Sequence, residues 1–118
     1  RMTVAEAASR WLDERLKTEM KDEKSRIIKP AAGYASCPDH TLKKDILEML
    51  PQSHRLGIRL TESFAMTPES SICGMILAHP QACYPEIRRI SQQQYDDYVQ
   101  RRGMSAEEAR RFLGHLLK

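Results

Sequence analysis

Apolar residues at Val4, Ala8, Trp11, Leu12, Leu16 and Met20 recur every three to four positions, the period of a helix with one buried stripe. Thr3-Val4-Ala5-Glu6 precedes them as a capping box, in which a hydroxyl and a carboxylate satisfy the first free N–H groups, so a helix is expected over about 4–21. The charged run 21–24 ends the stripe, and Ile27 and Ile28 lead into an irregular stretch. A second helix is expected to begin near Asp39, to turn Leu42, Ile46, Leu47 and Leu50 inward, and to stop at Pro51. From Gly57 the period becomes two: Ile58, Leu60, Phe64 and Met66 alternate with Arg59, Thr61, Ser63 and Ala65, which predicts a strand over 58–66 with Glu62 pointing to its apolar side. After a turn at 67–70, residues 71–79 are apolar on both faces and predict a central strand covered on both sides. His79-Pro80-Gln81 leads to a shorter stretch, 82–90, where Pro85 removes a ladder donor and marks an edge strand or a break.

Helices close the chain. Ser91 and Gln94 form a second capping box, Tyr95, Tyr98 and Val99 continue the buried face, and Gly103 suits the residue just past a helix end. Ser105 and Glu108 form a third box ahead of the stripe Ala109, Phe112, Leu113, Leu116 and Leu117. The order helix, loop, helix, three short strands, two helices predicts an α+β domain with a short antiparallel β-meander flanked by helices.

At 118 residues this is one domain, 1–118, large enough to bury a core without cross-links. Nineteen basic against sixteen acidic side chains give a net +3 spread in alternating sign, which calls for neither nucleic acid nor an anionic membrane as partner. No apolar run is long enough to cross a bilayer and no signal-peptide pattern opens the chain, so a cytoplasmic protein is expected. Cys37, Cys73 and Cys83 are odd in number and irregularly spaced, which predicts reduced thiols. Arg1 ahead of Met2 leaves open whether the chain is complete or a piece of a longer one.

The least regular stretch is 29–40, with two prolines, Gly33-Tyr34, Cys37, Asp39 and His40. It reads either as an ordinary connector in which Asp39 caps the next helix, or as an ordered loop that presents backbone N–H groups to a ligand. Cys37-x-x-His40 has the spacing of half a zinc site, but Cys73, His79 and Cys83 do not supply the other half, and no metal is expected. The last two helices resemble a helix-turn-helix only superficially, since Glu107 and Glu108 would lead the recognition helix toward phosphates. No nucleophile with a base and an orienting acid stands out, so no catalytic residue is assigned.

Pro30-Ala31-Ala32-Gly33-Tyr34, Cys37-Pro38-Asp39-His40-Thr41, Gly57 to Met66, His79-Pro80 with Tyr84, Asp96-Asp97-Tyr98 and Arg101-Arg102-Gly103-Met104-Ser105 together resemble the C-terminal activation domain of cobalamin-dependent methionine synthase, in the same order from about Ala8 to Leu117. The resemblance implies the C-terminal portion of a domain that binds S-adenosylmethionine on a twisted antiparallel sheet. In the family the methyl group, with one electron from a flavodoxin-type reductant, returns oxidised cob(II)alamin to methylcobalamin. The implied partners are a cobalamin-binding domain or protein and that reductant. The enzyme is a 5-methyltetrahydrofolate–homocysteine methyltransferase, of which this piece alone is expected to be inactive.

Carried over by position, the ligand-binding residues are Lys29, Gly33, Tyr34, Tyr84 and Pro85, and, less securely, Glu14 and Glu23. A zwitterionic sulfonium needs an anion for its amine, a cation for its carboxylate, backbone groups for its adenine and π surface for S⁺, and these residues supply each kind. Such a lysine is otherwise ordinarily solvated, such a tyrosine packed, and such glutamates solvent-facing. The family has arginine where this chain has Lys29, an exchange of a two-pronged grip for a point charge that weakens binding by about 1–2 kcal/mol. It has a second aromatic where this chain has Pro85 and another near Thr67, and an upstream portion that supplies an aspartate. A non-catalytic docking module for a corrinoid or flavodoxin-type partner, with S-adenosylmethionine binding lost, is the alternative reading.

Overall fold

The computed structural model describes residues 3–19 and 26–117. Helix α1, Val4–Glu19, is followed by strand β1, Arg26–Ile28, the loop 29–41, helix α2, Leu42–Glu48, and a single turn of helix, α3, Gln52–Arg55. Strands β2, Arg59–Leu60, β3, Met66–Thr67, and β4, Leu77–His79, precede helices α4, Gln92–Arg102, and α5, Ala106–Leu113, and a final 3-10 turn, Gly114–Leu116. The α+β class with short antiparallel strands is as expected, and the strands pair two by two: β1 with β4, and β2 with β3.

Helix ends follow local chemistry closely. Thr3 and Glu6 exchange their capping bonds at 2.9 and 3.1 Å, as do Ser91 and Gln94, and Ser105 Oγ accepts from the Glu108 N–H. Gly103 ends α4 at φ +64, a left-handed conformation that costs a side-chain-bearing residue about 1–2 kcal/mol. Pro51 stops α2 and starts α3. Leu50, past the end of α2, is exposed, while Ile46 and Leu47 are buried.

The strand expectations need correction. Residues 58–66 form a hairpin: Thr61 N–H donates to the Ala65 carbonyl, Phe64 N–H donates to the Thr61 carbonyl, and Phe64 stands at φ +60. No Gly, Asn or Pro announces this turn, so the alternation reads through it; Glu62 lies at its exposed tip and not toward the core. Phe64 is held there by its ring, edge-on to Phe112 with centroids 5.1 Å apart.

Of 71–79 only Leu77–His79 is strand, and all of it is exposed, because β1 alone pairs with it. The register matches Arg26 with His79 and Ile28 with Leu77, so the ladder would continue at Pro30 and Met75. There the Met75 N–H does donate to the Pro30 carbonyl, at 3.0 Å, but proline has no N–H to return and the ladder ends. The stretch 82–90 is no strand; its Ile87 N–H donates to the Ala35 carbonyl and its Ile90 N–H to the Leu116 carbonyl.

The core lies between β1, the loop, α2 and α5: Ile28, Ala32, Ile46, Leu47, Ala109, Phe112, Leu113 and Leu116. Helix α1 has no buried residue, and Trp11 is 62% exposed, so its stripe does not enter this core. Met20 and the charged run 21–24 lie outside the described residues.

Beneath the core a polar network joins loop to helix. Asp39, 3% exposed, accepts through Oδ1 from the Thr41 N–H and hydroxyl at 2.9 and 2.7 Å, and through Oδ2 from the Tyr98 hydroxyl at 2.6 Å. Arg102 brings Nε to 3.5 Å from Asp39, pairs with Asp45, and donates to the Thr41 hydroxyl at 3.0 Å. Burial first, and then the bond to Asp39, hold the Tyr98 phenol well above its ordinary range, so it is a permanent donor. Asp39 is therefore not the cap of α2, whose N-cap is Thr41 without a side-chain bond; it turns the loop toward α2 and fastens both to α4. Tyr98→Phe leaves one of its lone pairs unmet, and urea unfolding should show a loss of about 1–3 kcal/mol. Arg101→Ala, which removes the exposed pair with Asp97, should move stability by less than about 1 kcal/mol.

Candidate ligand-binding site

The site expected at 29–34 and 84–85 is assembled by the free edge of β1. Because Pro30 and Ile28 face β4 in the ladder, the Lys29 N–H between them points the other way, off the sheet. It donates to the Tyr84 hydroxyl at 2.6 Å, which joins two of the expected site residues that stand 55 positions apart. The Tyr84 ring is 55% exposed and its neighbour Pro85 is exposed beside it.

The Lys29 ammonium is engaged elsewhere. It lies 2.7 Å from Asp13 Oδ1, 2.8 Å from Ser9 Oγ and 3.2 Å from the Ser9 carbonyl, all on α1. The carboxylate that meets Lys29 is thus Asp13 and not Glu14, which lines a shallow cavity of about 340 Å³ with Trp11, Arg15, Thr18 and Glu19. Ser9 and Asp13, four apart, share one helix face. That spacing is the only signal for them in the sequence, and a serine and an aspartate on a polar helix face are too common to single out. Glu23 lies outside the described residues.

Gly33 and Tyr34 stand in a tight double turn: the Gly33 N–H donates to the Cys37 carbonyl and the Cys37 N–H to the Tyr34 carbonyl, both at 2.8 Å. Gly33 adopts φ +95, and a Cβ built there would lie 2.3 Å from His40 Cε1. Glycine is therefore required twice, by backbone and by space. Tyr34 is 70% exposed, and the pair lines a cavity of about 330 Å³ with Ala35, Pro38, His40, Ile87, Arg88, His115 and Leu116. His40 belongs to the same irregular stretch as the turn, whereas Arg88 and His115 come from distant positions, and nothing in their local sequence ties them to it.

Of the expected residues the structure brings Lys29 and Tyr84 together, places Gly33 and Tyr34 on one cavity and places Glu14 on another. Burial foremost, and then Asp39, push the Cys37 thiol up, and burial does the same for Cys73. Among the described residues no group of three or more His, Cys, Asp and Glu is placed to hold a metal ion, and no helix is long and apolar enough to cross a membrane.

The fold is an α+β domain in which Tyr84 meets the Lys29 backbone and Tyr34 stands on the glycine turn. A family model, the activation domain of vitamin B12 dependent methionine synthase, matches residues 4–103, and the chain belongs to that family. Its fold is that of a solved relative, a crystal structure of the MetH reactivation domain bound to AdoHcy, with a TM-score of 0.81 and 37% sequence identity. The alignment covers 96% of this chain and 39% of that one, so the chain spans well under half the length of that relative.

Gly33→Ala should destabilise the chain by about 2 kcal/mol or more in urea unfolding, the sum of a left-handed conformation without glycine and a clash with the His40 ring.

Proposed function

We propose that the chain is a S-adenosylmethionine-binding reactivation module that serves reductive methylation of cob(II)alamin in a cobalamin-dependent methionine synthase. The observation that carries this reading is the bond between the Lys29 N–H and the Tyr84 hydroxyl, which brings Tyr84 to the start of the loop. The AdoHcy held by the MetH relative is what remains of S-adenosylmethionine after its methyl group has left.

S-adenosylmethionine supplies an electrophilic methyl group when bound; this chain's residues bind and orient it. Tyr84 and Tyr34 offer the faces of electron-rich rings to a sulfonium, and Pro85 adds an apolar contact. Gly33 lets the backbone approach the nucleoside without a side chain in between. Lys29 sets the edge of the site through its backbone while its ammonium, neutralised by Asp13, fastens α1 beside it. Glu14 and Glu23 are assigned the ligand's ammonium end. Catalysis by such a module consists of orientation and electrostatics. A cobalamin-binding domain and a flavodoxin-type reductant are its proposed partners, in the cytoplasm.

The engagement of the Lys29 ammonium by Asp13 and Ser9 favours a second reading, a docking module for the same partners that no longer holds the ligand. Calorimetry with S-adenosylmethionine and AdoHcy separates the two. The first reading expects saturable binding that weakens at least about tenfold in Tyr84→Ala, the scale of one well-placed aromatic anchor. Absence of binding at millimolar ligand, both in this chain and in a longer one carrying the upstream portion, would establish the second.

A further inference from the structure

The His40 imidazole fills the space in which any side chain at position 33 would stand. A Cβ on Gly33 would lie 2.3 Å from its Cε1, 2.6 Å from Nδ1 and 3.0 Å from Nε2, so the ring rests against the Gly33 α-carbon. Lys43 on α2 holds the ring, with Nζ 3.1 Å from His40 Nδ1 and 2.9 Å from the Phe64 carbonyl. An ammonium has only protons to offer, so Nδ1 accepts, the ring is neutral, and its proton sits on Nε2. Through one lysine the ring is joined to the left-handed Phe64 of the β2–β3 turn, which in turn packs on Phe112 in the core.

The charged and titratable groups around the ring are Lys43 from α2, Asp39 from the loop, His115 from the final 3-10 turn and Arg88 from the 82–90 stretch; Tyr34 lines the same cavity. Burial above all, and then Lys43, pull the imidazole below its ordinary value of 6.5; His115 adds to this and Asp39 opposes it.

We propose that His40 is a positioning residue for the ligand-facing turn: its neutral ring, set between the Gly33 α-carbon and the Lys43 ammonium, fixes Gly33-Tyr34 and couples that turn to the Phe64 hairpin. The consequence for ligand binding rests on the function proposed above; the hold on the turn does not. Protonation would place an imidazolium against the Lys43 ammonium, break their bond and release the turn. The folded chain binds this proton less readily than the unfolded one. The contribution of His40 is therefore whole above the ordinary value of 6.5 and is lost as pH falls through the lowered folded value.

The first readout needs no ligand. Hydrogen exchange of the Gly33 and Cys37 amides, expressed as protection factors so that intrinsic pH effects drop out, reports on the turn at about pH 7.5 and about pH 5.5. Wild-type protection should fall on acidification, the His40→Phe chain, whose flat ring cannot titrate and offers Lys43 no acceptor, should show one reduced protection that is the same at both pH values, and His40→Ala should be weakly protected at both. Equal protection in wild type and His40→Ala, or an acid loss that persists in His40→Phe, overturns the proposal. If His40→Ala fails to fold, His40→Gln, which keeps an acceptor for Lys43 but no ring, takes its place, and wild-type protection there overturns it equally. Calorimetry with AdoHcy on the same chains should rank affinities in the order of protection. If no chain binds AdoHcy while the protection pattern holds, the ligand reading fails and the positioning role stands; if binding is intact and the protection does not move with His40, the positioning role fails.

Discussion

The Asp39 carboxylate is almost out of contact with water, and a charge at that depth is tolerable only if its oxygens are met by donors in fixed directions. Thr41 supplies donors from two residues on in the chain, and Tyr98 supplies one from α4, some sixty positions on, where the Arg102 guanidinium stands 3.5 Å away as a charge partner. Removing any one donor leaves a buried lone pair or a misplaced guanidinium, so the set specifies one arrangement of loop, α2 and α4 in a way that apolar contacts alone would not. The glycine turn at 33–34 sits six residues before this anchor, and the loop between them inherits its position.

The other constraint is subtractive. Proline at position 30 withholds a single N–H at the point where β1 would have gone on pairing with β4, and the sheet stops there. Stopping it frees the chain to turn into the loop, while Lys29, just before, keeps a strand-like backbone with its N–H on the open edge. Tyr84 occupies that edge with a hydroxyl, so a backbone donor that might template association is satisfied and a ring is left exposed beside it.

Helix α1 is attached by charge more than by packing: Asp13 and Ser9 grip the Lys29 ammonium, and Trp11 stays in the open under the Arg15 guanidinium, 5.9 Å from its ring. Ile72, Ile76 and Leu77 are likewise exposed.

The amino-acid sequence by itself determined the parts governed by neighbours along the chain. The capping boxes at Thr3 and Ser91, the N-cap at Ser105, the stop at Pro51, the C-terminal glycine of α4 and the apolar stripe of α5 each depend on bonds or spacing within a few residues and hold in the fold; at Ser105 only the serine half of the expected box forms. Motif identity also carried the family, because several motifs in a fixed order are specific even where their contacts are unknown. Tertiary structure alone decided the strands, since pairing is a property of two segments: the alternation of 58–66 is real, yet Lys43 and Phe112 fold it into a hairpin at Phe64, and 71–79 finds a partner only as far as Pro30 allows. It decided the site residues for the same reason. Lys29 reads as a free cation until Asp13 is seen against it, Asp39 as a possible helix cap until Tyr98 and Arg102 arrive, and nothing along the chain foretells that the His40 ring seats on Gly33. Local backbone bonds are fixed by spacing in the sequence, whereas the neutralisation of a charge or the seating of a ring depends on groups that only the folded chain brings near.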